Sequence, residues 1–117
     1  MNSAVTPMTT NTEWTDVCAE GLLAPDIGIC VFFDGEQVAI FKDSKSDQVY
    51  AINNYDPIGK ANVLSRGIIG SIGDKVVVAS PLYKQHFCLA TGQCLEEDVT
   101  VSTYAVRIHD GQIQLSR

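Results

Sequence analysis

From Asn53 to Lys84 this chain has neither cysteine nor histidine; His86, His109, Cys88 and Cys94 all come later. Zinc and iron–sulfur centres need thiolate sulfur or neutral imidazole nitrogen held within about 2 to 2.5 Å, so this segment cannot build one from its own side chains. The later His86-x-Cys88, with Cys94 beyond, offers little more. On a strand His86 and Cys88 share a face, but Cys94 lies past the Thr91-Gly92 turn and His109 is far along the chain. Cys88 is read as a small buried hydrophobe. Basic residues are also scarce: 8 Lys and Arg stand against 14 Asp and Glu, for a net charge of -6. They gather into no stripe that could neutralise several phosphates, which argues against nucleic acid and anionic membrane as partners. No apolar run approaches the roughly 18 residues of a bilayer span, and "MNSAVTPMTTNT" has neither a basic nor an apolar leader region. The expectation is a soluble cytoplasmic protein whose four cysteines are reduced and mostly buried.

What is present is the grammar of a β-domain. At 117 residues and 45% hydrophobic, the chain suits one domain with one core, expected over residues 13–117. Residues 1–12 are small, polar and broken by Pro7, and are expected to form a disordered tail. From Glu13 onward short apolar runs are cut by turn residues about every ten positions, the pattern of an all-β sandwich or barrel. "GICVFFDGEQVAIFK" predicts strands over 28–33 and 37–42 around a tight Asp34-Gly35 turn. "QVYAI" (48–52) predicts a third strand, and "DKVVVAS" (74–80) a fourth covered on both faces. "QHFCLA" (85–90) closes on Thr91-Gly92, and "STYAVRIHDGQIQL" repeats the hairpin pattern at Asp110-Gly111. The nearest approach to helical periodicity is a turn around Asp16 to Leu23. Tyr50 and Tyr104 fall in strand patterns and are read as core or sheet-face aromatics, and His109 as a solvated turn residue.

The frame "DPIG…LSRGIIG…VVVASPLYKQHFCLATGQC" resembles the cluster-binding part of Rieske-type ferredoxin domains. That family holds its [2Fe-2S] cluster through Cys-x-His and Cys-x-x-His loops, two His replacing two Cys on one iron. Matching Phe87, Thr91 and Gly92 to the "F-x-x-x-T-G" that follows the second loop puts Ser80 at its Cys and Tyr83 at its His. Asp56-Pro57-Ile58 stands at the first loop, so Asp56, Ile58, Ser80 and Tyr83 are degenerate cluster-ligand positions. "GSIGDK" reads as an insertion between the loops. The resemblance implies a Rieske-like β-sandwich with a small loop-built subdomain over roughly residues 55–94. It leaves a gap between the loops, over which Tyr83 is expected to lie, bonding through its hydroxyl to Asp56 or Asn54.

"WTDVC", "NYDPIGKANVLSRGI", "SPLYKQHFCLATG" and "YAVRIHDGQI" further resemble the small subunits of NADH-dependent assimilatory nitrite reductases. The implied partner is a cytoplasmic large subunit carrying FAD, sirohaem and an iron–sulfur cluster and reducing nitrite to ammonium with NAD(P)H. This chain itself has no dinucleotide fingerprint, sirohaem ligand set or CxxC pair, so a supporting rather than an electron-carrying role is expected, with no cofactor and no catalytic residue of its own. Two other readings are an electron-transfer ferredoxin of Rieske type with atypical ligands, and a lone catalytic domain using Ser80 or Cys88. Such a nucleophile needs an adjacent base, for which His86 is the nearby candidate.

Overall fold

A computed structural model describes residues 13–117; the tail expected over 1–12 lies outside the described residues. The strands are β1 (Thr15–Ala19), β2 (Ile29–Phe33), β3 (Glu36–Lys42), β4 (Val49–Asn53), β5 (Tyr55–Asp56), β6 (Ala61–Asn62), β7 (Ile68–Ile72), β8 (Lys75–Ala79), β9 (His86–Cys88), β10 (Thr103–His109) and β11 (Gln112–Ser116). A six-stranded antiparallel sheet runs β1-β11-β10-β4-β3-β2 and curls until its edge strands β1 and β2 approach each other. The subdomain is inserted between β4 and β10 and holds the β5-β6 ribbon and a three-stranded β7-β8-β9 sheet.

Two-residue turns set the register. Asp34 (φ 55) and Gly35 (φ 80) link Phe33 to Glu36, and Asp110 (φ 53) and Gly111 (φ 77) link His109 to Gln112. Paired positive φ angles twist the turn to match the strands, which is why Asp-Gly marks both hairpins. Period-2 alternation then sorts β3: Val38 and Ile40 face one core with Ala51, Tyr104, Ile113 and Leu115, while Ala39 and Phe41 face another with Ile52, Leu64, Val78, Phe87 and Leu89. The second core lies between the large sheet and the subdomain, so β3 and β4, apolar on both faces, join the two parts. Each fully buried side chain of this kind contributes about 1.5 to 3 kcal/mol. Burial of the neighbours Val77 (2% exposed) and Val78 (0%) shows that β8 is covered on both faces.

Two local expectations need correction, and a strand not expected from the sequence appears at "GSIGDK". The turn expected around Asp16 to Leu23 is mostly strand: β1 pairs with β11, and only Glu20–Leu22 makes a 3₁₀ turn, begun where Glu20 N donates to Gly111 O. Sheet pairing overrides the weak local preference. The "GSIGDK" stretch is the end of β7, the Gly73-Asp74 turn and the start of β8, a hairpin whose glycines hide its alternation. The four cysteines are free, but only Cys88 and Cys94 are buried, because Cys30 lies on the outward face of β2 and Cys18 is half-buried.

Candidate functional site

Two loops of the subdomain face each other, and their backbones repeat one design. In the first, Lys60 N donates to Asp56 O at 2.7 Å, with Lys60 at φ 60. In the second, Lys84 N donates to Ser80 O at 3.0 Å, with Lys84 at φ 65. The sequences Asp56-Pro57-Ile58-Gly59-Lys60 and Ser80-Pro81-Leu82-Tyr83-Lys84 share an x-Pro-x-x-Lys frame. Proline presets φ at the second position of each loop, and an amide closes each loop on its head residue.

The head residues meet. Ser80 Oγ donates to Asp56 Oδ2 at 2.5 Å, and the other carboxylate oxygen accepts from Ile58 N at 2.8 Å and Gly59 N at 3.0 Å. Asp56 is 0% exposed and Ser80 1%. The buried carboxylate thus folds its own loop through two amides and fastens it to the other loop through a hydroxyl, satisfying the polar atoms that burial would penalise. Leu82 covers the joint: a Cβ placed on Gly59 would lie 2.5 Å from Leu82 Cδ1.

The remaining two sequence-selected positions part company. Ile58 turns inward and packs on the core with Phe87 and Leu89. Tyr83 does not cover the gap as expected; it is 65% exposed at the loop tip, beside Leu82 at 44%. Ser80 already takes the bond intended for the tyrosine hydroxyl, and Asn54 is committed elsewhere. Its Nδ2 donates to Gln37 Oε1 at 3.0 Å and its Oδ1 accepts from Ser65 N at 2.7 Å. Asn54 therefore ties the start of the subdomain to the large sheet. Sequence reasoning missed that role and the Asp56–Ser80 bond, although the repeated x-Pro-x-x-Lys frame was a signal for equivalent loops.

Does the arrangement suit a metal or a catalyst? Of Asp56, Ile58, Ser80 and Tyr83, two are bonded to each other, one is aliphatic and one points to solvent, and none offers sulfur or imidazole. They do not fit a [2Fe-2S] cluster. Among the described residues no three His, Cys, Asp or Glu side chains converge as metal ligands. Ser80 gives its proton to a carboxylate with no imidazole between them. His86 turns Nδ1 to Glu96 Oε2 at 2.7 Å, and the His86 amide and ring hold the Glu96 carboxyl below the usual range. At Cys88 burial pushes the thiol pKa up, but the Thr91 hydroxyl and the amides of Thr91 and Ala90 outweigh it, so the net shift is downward. At 4% exposure that sulfur remains closed to substrate. Beside the first loop a cleft of about 420 Å³ is lined by Phe32, Glu36, Asn53 and Tyr55. Its carboxylate, Glu36, already accepts from Asn53 Nδ2 at 2.5 Å and Tyr104 Oη at 2.9 Å.

A small β-subdomain with two facing loops, inserted in a curled antiparallel sheet, is the architecture of Rieske domains. The chain is a member of the Rieske-like [2Fe-2S] domain family, whose model matches residues 13–116. It is 45% identical over 104 residues to the nitrite reductase (NADH) small subunit of Escherichia coli K12, covering 88% of this chain and 96% of that one. The NMR structure of the E. coli protein NirD superposes with a TM-score of 0.82 at 43% identity, over 91% of this chain and 97% of that one. A 108-residue match at 35% identity, 92% of this chain, lies within the nitrite reductase [NAD(P)H] large subunit of Klebsiella oxytoca and accounts for 11% of its length. Within the Rieske-like family, the chain belongs with the small subunits of NADH-dependent nitrite reductase.

Proposed function

We propose that this chain is the non-catalytic small subunit of a cytoplasmic nitrite reductase that converts nitrite to ammonium with NAD(P)H during nitrate and nitrite assimilation. The observation that carries this reading is the K. oxytoca large subunit, in which a domain similar to this chain forms part of the same polypeptide. A module found fused to a protein in one organism and separate in another is suited to pack against that protein in both. FAD, sirohaem and an iron–sulfur cluster belong to the large subunit in this reading, and this chain contributes binding surface.

Asp56, Ile58, Ser80 and Tyr83 stand at the four ligand positions of cluster-bearing relatives. The Ser80–Asp56 bond does mechanically what a shared iron would do, holding the two loop heads together. The tip so fixed presents Tyr83 and Leu82 to solvent, a rigid aromatic and aliphatic pair of the kind that anchors protein interfaces. We place the large-subunit contact there. The test is co-expression of the large subunit with and without this chain, followed by co-purification and nitrite-dependent NADH oxidation. The expected result is a complex whose activity or lifetime falls without the small chain. A large subunit that neither binds it nor changes in its absence would refute the assignment.

A further inference from the structure

Among the described residues, those other than glycine that take positive φ are Asp26, Asp34, Asp47, Lys60, Lys84 and Asp110. For the aspartates the conformation is ordinary, because a short polar side chain bonds locally and tolerates the left-handed region. Lysine has no such compensation, and glycine would close either loop without strain. Yet a lysine ends both facing loops, Lys60 at φ 60 and Lys84 at φ 65, each donating its amide to the head residue of its own loop. Loop closure uses the amide and leaves the side chain unexplained. Strain held twice, at equivalent positions, points to a use for that side chain.

Neither lysine spends its charge inside the chain. Elsewhere Lys42 pairs with Asp47 at 3.2 Å, Lys75 lies 3.9 Å from Asp74, Arg117 bonds Asp34, and Arg107 stacks on the Trp14 ring at 4.4 Å. Lys60 and Lys84 are exposed and have no ion-pair partner among the described residues. The acid within the two loops is Asp56, 0% exposed and bonded to Ser80 and to the Ile58 and Gly59 amides. In a chain of 8 basic and 14 acidic residues, the two loops therefore present two cations and no exposed anion of their own. The apolar pair lies with them: Leu82 reaches across to Gly59, which directly precedes Lys60, and Tyr83 directly precedes Lys84. An apolar centre with a charged rim is the anatomy of a docking surface.

We propose that Lys60 and Lys84 seat the tip on a carboxylate-bearing surface of the nitrite reductase large subunit, an inference that rests on the tip being the large-subunit contact. With a net charge of -6, the chain as a whole is repelled by an acidic surface, so the cationic tip must lead. The two lysines thus orient the approach as well as adding attraction, and charges at the rim of a contact act chiefly on the association rate and its salt dependence.

The test is the binding kinetics of the full chain on the purified large subunit, from about 50 to about 500 mM salt. The parent's association rate should fall about tenfold or more across that range. Lys60→Gly and Lys84→Gly should each lower affinity about fivefold and flatten the salt dependence. Both should melt within about 2 °C of the parent or above it, because glycine relaxes the backbone there. Lys60→Glu combined with Lys84→Glu should lower affinity about a hundredfold, as like charges then meet. Lys45→Glu, in the turn at the far end of β4, should change it less than about twofold. Binding that withstands the double reversal but is weakened by Tyr83→Ala overturns the proposal and leaves the tip contact standing. Glycine variants that lose stability and keep full affinity also overturn it, assigning the lysines to balancing the buried Asp56 carboxylate. An equal loss in Lys45→Glu overturns it by showing an effect of net charge alone. A parent chain that does not bind the large subunit removes the tip contact and this proposal together.

Discussion

Ser80→Ala removes one oxygen atom and, with it, the direct bond between the two loop heads. Asp56 is 0% exposed and its Oδ2 accepts from Ser80 at 2.5 Å, so the truncation leaves a carboxylate oxygen inside the protein without that donor. Stranding a buried acceptor costs about 1 to 3 kcal/mol, and bonds to charged groups fall in the upper part of that range. The serine oxygen also accepts from Leu82 N at 3.3 Å, a longer and weaker contact that is lost as well. The expected loss is about 2 kcal/mol, which for a domain of this size lowers the melting temperature by about 6 to 10 °C. Asp56→Asn should cost about 1 kcal/mol, because its oxygen still accepts from the Ile58 and Gly59 amides while its NH₂ donates to Ser80 Oγ. The assay is thermal unfolding by circular dichroism for the parent, both single variants and the double variant. A coupling between the two sites of about 0.5 kcal/mol or more is expected, since they touch. Ser80→Ala melting within about 2 °C of the parent would show that the bond does not hold the loops, and the substitute for an iron cross-link would have to be sought elsewhere.

Tyr83→Ala, at an exposed tip, should change stability by no more than about 0.5 kcal/mol while weakening binding of the large subunit at least about tenfold, as measured by calorimetric titration. Gly92→Ala should destabilise by about 3 kcal/mol or more, because Gly92 sits at φ 80 and its Cβ would lie 2.0 Å from Val101 O; urea unfolding reads this directly. The depressed Glu96 carboxyl contributes stability that is fully present above its ordinary value of 4.5 and disappears as pH falls through its lower folded value. The melting-temperature difference between the parent and Glu96→Gln should therefore shrink as pH falls from about 5 toward 3.

Much of the architecture is local in origin and was therefore open to inspection in the chain. Asp34-Gly35 and Asp110-Gly111 can close only a narrow set of turns, and the alternation on either side of them is enough to place β2, β3, β10 and β11 to within a residue or two. That Asp56, Ile58, Ser80 and Tyr83 carry neither sulfur nor imidazole was also local, being a matter of side-chain identity before any folding. β7 was overlooked because Gly67, Gly70 and Gly73 interrupt its apolar pattern, and its strand character comes from pairing with β8 rather than from its own composition. Which residue would tie the two loops together depended on a distance between segments 24 positions apart, a quantity that no spacing rule supplies. Tyrosine looked the better bridge by size, but serine sits at the head of its loop, where the backbone brings it against Asp56, while Tyr83 falls on the outer turn of the same loop. The x-Pro-x-x-Lys frame set the shape of each loop, and packing of Ile58, Phe87 and Leu89 in the shared core set how closely the two shapes approach.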